Sequence, residues 1–133
     1  MLRLFHYLLN RSGDVCKLIL EYVKDKNPEN SYGETPIFTA AYYGNVDAFK
    51  LFLELSDEKV PVKRIGMPWT PFHFAFRNSH LEICNIIVKI LSEDVSKKKL
   101  LKMLLQVPKD LGRGESPKEA IAWLNGLELG LSL

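Results

Sequence analysis

Gly33 to Leu55 reads GETPIFTAAYYGNVDAFKLFLEL, and the fold can be read from this stretch. The Thr35 hydroxyl suits a helix N-cap, and Pro36 suits the first helical position, whose amide has no intrahelical partner. Ile37, Ala40 and Ala41 then fall at i, i+3 and i+4, one apolar stripe on a short helix. Gly44-Asn45 ends that helix with residue types that tolerate positive φ. A second helix follows, with Val46, Phe49, Phe52 and Leu53 on one face. The unit is a helix–turn–helix with its caps.

The unit recurs. Thr70-Pro71 opens TPFHFAFRNSHLEICNIIVKI, 35 residues after Thr35, and Ser116-Pro117 opens a weaker copy 46 residues later. Upstream, FHYLL around His6 copies FHFAF around His73. Self-similarity near this period signals stacked helical repeats, none of which can bury its apolar face alone.

The pattern G-x-T-P-x-x-x-A-A-x-x-G-N, carried by Gly33, Thr35, Pro36, Ala40, Ala41, Gly44 and Asn45, resembles the ankyrin repeat. The resemblance covers nearly the whole chain and is close in the two middle copies. It implies an all-α solenoid of stacked helix–turn–helix units with short β-hairpin-like finger loops. Residues 1–133 form one array on this reading: a partial unit at 1–27, a unit at 28–60, a third at 61–109 with a C-terminal insertion, and a truncated cap at 110–133. Asn30 to Gly33 falls where the family places a finger tip. Between units two and three, Pro61 and Pro68 exclude helix.

Two departures from the period carry their own expectations. Ser92 to Asp110 holds about eleven to thirteen extra residues against the repeat length. Leu100, Leu101, Leu104 and Leu105 have helical spacing, so the excess is either an inserted helix or an extended second helix. The last unit keeps Ile121-Ala122 and Asn125-Gly126 at the expected offsets. A first helix should therefore break at Asn125-Gly126, and its partner should run out within LELGLSL.

Composition narrows the function. A hydrophobic share of 47% supplies a core, while a net charge of +2 is too small to argue for nucleic acid. Two cysteines, Cys16 and Cys84, are too few for a secreted disulfide scaffold and indicate a reducing compartment. The expected location is intracellular: cytoplasmic, with the nucleus also open. The first ten residues, MLRLFHYLLN, are followed by no small-residue cleavage site and read as a helix rather than a signal peptide. No apolar run approaches the ~18 residues of a membrane span.

No catalytic constellation appears: the chain has no G-x-S-x-G elbow, no Gly-rich phosphate loop and no H-E-x-x-H helix. No enzyme activity, cofactor or small-molecule substrate is expected. The spacing of His6, His73, Cys16 and Cys84 fits no zinc signature, so no metal is expected either. By the resemblance, His6 and His73 sit at the family's T-P-L-H histidine, which hydrogen-bonds between loops of adjacent repeats. They join Thr35, Thr70 and Ser116 as structural caps.

The resemblance also locates a binding face. Tyr42 and Tyr43 occupy the two variable positions between Ala-Ala and Gly, and Arg77 and Asn78 are their equivalents in the next unit. In ankyrin arrays these positions and the finger tips (here Ser31, Tyr32 and Glu34, with Trp69 beside the next finger) line the concave face that grips protein partners. Tyrosine offers large contact area at low entropic cost. The expected function is non-catalytic protein–protein recognition through that face. The alternative is electrostatic attachment to nucleic acid or an acidic membrane through Lys97 to Lys102, the one concentrated charge in the chain.

Overall fold

The computed structural model describes residues 36–55 and 70–132. The first unit, the fingers, the Pro61–Pro68 connection and residue 133 lie outside the described residues. Within them the chain forms six helices and no strand: α1 (Pro36–Tyr43), α2 (Val46–Leu55), α3 (Pro71–Arg77), α4 (Leu81–Asp94), α5 (Lys97–Leu111) and α6 (Lys118–Ser132). The described residues are all-α, as the ankyrin resemblance implies.

The two middle units stack in register. First helix packs on first helix (α1 on α3), second on second (α2 on α4), and each pair also closes on itself. Of the predicted stripes, Ile37, Ala40, Ala41, Phe49 and Phe52 are fully enclosed while Val46 and Leu53 are partly buried, and in the next unit Ala75, Phe76, Ile83 and Cys84 are enclosed. Burying a side chain the size of Phe49 or Phe52 is worth about 1.5–3 kcal/mol. The alanines matter differently, because their small size lets neighbouring helices approach. Both inner corners use left-handed backbone, at Gly44 (φ 74°) and at its repeat equivalent Ser79 (φ 58°). Asn45 then starts α2, its Oδ1 accepting from the Ala48 amide at 3.1 Å.

Of the two readings for the long connection, the chain takes the inserted helix. Val95 turns extended after α4, and Ser96 caps α5 by accepting from the Lys99 amide at 3.2 Å. Leu100, Leu104, Val107 and Leu111 form the buried stripe of α5, which packs against both α3 and α4.

The last unit differs from expectation. α6 runs unbroken from Lys118 to Ser132, straight through Asn125-Gly126. Ala120 and Leu124 are buried, and Ile121, Trp123 and Leu127 pack against the core, so one apolar stripe continues across the breaker pair. Burial of that stripe outweighs the local cost of a mid-helix glycine, about 1 kcal/mol. Ser116 is corrected with it. The helix begins two residues later, and the buried Ser116 hydroxyl finds no hydrogen-bond partner among the described residues instead of capping an amide. α6 pairs with α5, and Trp123 anchors it to the array. Its ring lies 6.0 Å from Phe72 and 6.4 Å from Phe76, and its indole N–H donates to Asn85 Oδ1 at 2.8 Å.

Candidate functional site

Tyr42 and Tyr43 end α1 and stand exposed, at 44% and 50%. Their rings meet edge to face with centroids 4.9 Å apart, and the Tyr42 ring also leans on Phe74 at 5.8 Å. Phe74 is itself buried and packs edge-on against Phe38 at 6.0 Å. An aromatic ladder therefore rises from the interior through Phe38 and Phe74 to the exposed pair. Such ring pairs add about 0.5–1.5 kcal/mol beyond their area burial. The backbone beneath is held as well. The Tyr42 carbonyl accepts from Asn78 Nδ2 and from His80 Nε2, each at 3.0 Å. Both donors belong to the following unit, so the stacking of repeats sets the position of the tyrosines.

The remaining candidates separate by environment. Asn78 is exposed but spends its amide on the Tyr42 carbonyl, which makes it a brace for the pair. Arg77 is exposed and forms an ion pair with Glu115 at 3.1 Å, across the turn before α6. Exposed pairs of this kind contribute roughly 0–1 kcal/mol. Tyr42, Tyr43, Arg77 and Asn78 thus sit at the adjoining ends of α1 and α3. Ser31, Tyr32, Glu34, Thr35, Trp69, His6 and Cys16 lie outside the described residues.

Thr70 and His73 close a capping box at the start of α3, with histidine in the place usually taken by Glu or Gln. His73 Nδ1 accepts from the Thr70 backbone N–H at 2.9 Å, which leaves the ring proton on Nε2. Nε2–H donates to Asp110 Oδ2 at 2.9 Å, tying α3 to the inserted helix α5. The other oxygen of Asp110 accepts from Gln106 at 3.0 Å. His73 is almost entirely buried, and these bonds satisfy both of its nitrogens. Among the described residues no group of three or more His, Cys, Asp or Glu side chains is gathered to hold a metal ion.

Sequence reasoning missed several participants. His80 had a signal, since the period carries Asn45 onto it, but its bond to the Tyr42 carbonyl depends on how the units stack. Asp110 had none: it sits 37 residues from His73, on a helix foreign to the repeat. Phe38 lies off the predicted Ile37–Ala40–Ala41 stripe, and only ring geometry links it and Phe74 to the exposed tyrosines. The Lys97–Lys99 run and Lys102 lie exposed on α5. None of the helices among the described residues is long and apolar enough to cross a membrane.

Paired antiparallel helices stacked through repeated first-helix and second-helix contacts define a helical repeat solenoid. A family model of ankyrin repeats (3 copies) matches residues 4–99, nearly three quarters of the chain, and the chain belongs to the ankyrin repeat family. The match ends within the first turn of α5, so nearly all of α5 and the whole of α6 lie beyond it. Among curated proteins, an ankyrin repeat-containing protein of Arabidopsis thaliana is 28% identical over 61 residues, which is 46% of this chain. The aligned region spans only 12% of that protein's length. Ankyrin repeats are in general protein–protein interaction modules and typically non-catalytic.

Proposed function

We propose that this chain is a protein-recognition module that grips its partner with the Tyr42–Tyr43 face, without catalysis. The observation that carries the reading is an exposed aromatic pair held rigid from below. Two large apolar rings stay in water while Phe74 and the Asn78 and His80 hydrogen bonds hold them in place. Aromatic groups prepositioned in this way lose little entropy on binding, which is the profile of interface hot spots. Ser31, Tyr32, Glu34 and Trp69 extend the same face in this proposal, and Arg77 supplies charge at its edge. The four-unit division of residues 1–133 belongs to the proposal as well, with the last unit reduced to α6 and the turn before it. The proposed setting is intracellular, cytoplasmic or nuclear.

The test is alanine substitution. Affinity capture followed by mass spectrometry identifies the partner. Tyr42→Ala and Tyr43→Ala should then each cost ~1–3 kcal/mol of binding while leaving the unfolding midpoint nearly unchanged. Normal partner binding by the double variant would reject the tyrosine face. A binding constant that instead falls steeply with salt would favour attachment of nucleic acid or acidic membrane through Lys97–Lys102.

A further inference from the structure

The positive charge of this chain is concentrated on one helix. Lys97, Lys98, Lys99, Lys102 and Lys109 against Asp110 give α5 a charge of +4, whereas the whole chain carries +2, so everything else sums to −2. All five lysines are exposed, and among the described residues none has an ion-pair partner. Glu93 and Asp94, the nearest acidic side chains upstream, end α4 and pair with none of them. Asp110 is occupied by His73 and Gln106.

The charge is also aligned. With about 100° of helix turn per residue, Lys98, Lys102 and Lys109 fall within about 40° of one another, opposite the buried Leu100, Leu104, Val107 and Leu111. They make a straight row roughly 16 Å long on the side of α5 turned away from the core. Lys97 and Lys99 flank the row in the first turn, where three cations oppose the helix dipole. No acidic residue in that turn offsets them, and negative charge outside the chain does. A local rule broken without internal compensation marks a surface kept for a partner.

We infer that the exposed face of α5 docks this chain onto a membrane surface rich in acidic lipid, by charge and without insertion. A plane of anionic headgroups meets all three lysines of a straight row at once, and each lysine near such a surface strengthens attachment about fivefold. The apolar stripe of α5 is in the core, so the helix rests on the headgroups rather than entering the acyl region. The makeup of α5 disfavours the other anionic partners. It has no aromatic ring on which a base could stack, and a chain of net charge +2 lacks the strong basicity of a nucleic-acid domain. It also has no arginine to grip a carboxylate with two hydrogen bonds, and lysine is depleted at protein interfaces. This surface shares no residue with the tyrosine face, so it stands or falls independently.

The test is flotation of the intact chain with phosphatidylcholine vesicles, with and without about 30% phosphatidylserine. Binding to the acidic vesicles alone is expected, and it should disappear as salt rises from about 50 to about 300 mM. Lys98→Gln, Lys102→Gln and Lys109→Gln together should weaken partition about a hundredfold, with the melting curve unchanged because these side chains are exposed. Lys50→Gln, Lys89→Gln and Lys118→Gln together remove the same net charge from exposed sites off α5 and should leave partition nearly unchanged. Tyr42→Ala with Tyr43→Ala should float normally. No binding to the acidic vesicles at about 50 mM salt, or an equal loss in both lysine triples, would overturn the inference. So would tighter binding of duplex DNA or polyglutamate than of the vesicles at the same salt, either of which assigns the row to another class of partner.

Discussion

Gly44 and Ser79 hold equivalent corners of successive units, and both lie in the left-handed region. Glycine adopts it freely, whereas serine carries a steric cost of about 1–2 kcal/mol. Ser79→Gly should therefore raise stability by about 0.5–1 kcal/mol in chemical denaturation. Gly44→Ala should lower it by more than that, since a Cβ there would run into the His80 imidazole as well as fixing an unfavourable φ. The same change should loosen the His80 bond beneath Tyr42. Cys84 supplies a prediction with a pH sign. Burial pushes its thiol up from the usual 9.0 to about 12, with a backbone hydrogen bond pulling the other way. Between those values the unfolded chain ionises this cysteine while the folded chain holds it protonated, so the unfolded state binds fewer protons. Stability should thus be whole below pH 9 and fall as pH rises towards 12. Cys84→Ala should flatten that slope, and native Cys84 should label slowly with thiol reagents.

The elements that depart from the repeat follow the two middle units. The repeat pattern predicts a break at Asn125-Gly126, but Leu124 and Leu127 on either side face the core, and the helix passes through. Gly126 is exposed and helical, and a Cβ added there would meet nothing within 4 Å. Gly126→Ala should consequently stabilise the protein by about 0.5–1 kcal/mol, read from the thermal or denaturant midpoint. A turn at this position would give the opposite sign. α5 was legible as apolar spacing in Leu100, Leu101, Leu104 and Leu105, but whether it extends α4 or stands alone was not. Two residues decide it: Val95 goes extended and Ser96 caps. A side-chain cap is worth about 1 kcal/mol, enough to settle a boundary but too local to stand out in a run of polar residues.

At the scale of the molecule, α3 and α4 have helices packed on both sides, α1 and α2 on one and α5 on the other. In repeat arrays stability is roughly a sum of unit and neighbour-interface contributions. Amide hydrogen exchange should be slowest around Ala75, Phe76, Ile83, Cys84 and Ile87. It should be faster in the last turns of α6, where Asn125, Gly126, Leu129 and Gly130 are exposed. Uniform protection from Pro36 to Ser132 would instead mark a single cooperative globule. The Trp123 anchor predicts where protection in α6 begins, because that ring and its bond to Asn85 join the helix to the stack.

The sequence by itself determined the repeat. Capping residues, apolar stripes and left-handed corners act within a few residues of one another, so Thr70, Ile37, Phe52 and Gly44 announced helices, faces and turns without any tertiary knowledge. The period then required stacking, because each unit's stripe is too small to bury alone. The resemblance to the ankyrin repeat also singled out Tyr42, Tyr43, Arg77 and Asn78 as candidate contact positions. Only the tertiary structure decided how those side chains are used. Asn78 braces the tyrosines, Arg77 pairs with Glu115, and His73 reaches Asp110 on a helix outside the repeat pattern. These are meetings between residues 36 to 38 positions apart, made by packing rather than by local preference. The fate of α6 follows the same rule, since its stripe had a core to join and burial across the breaker pair outweighed the turn written there.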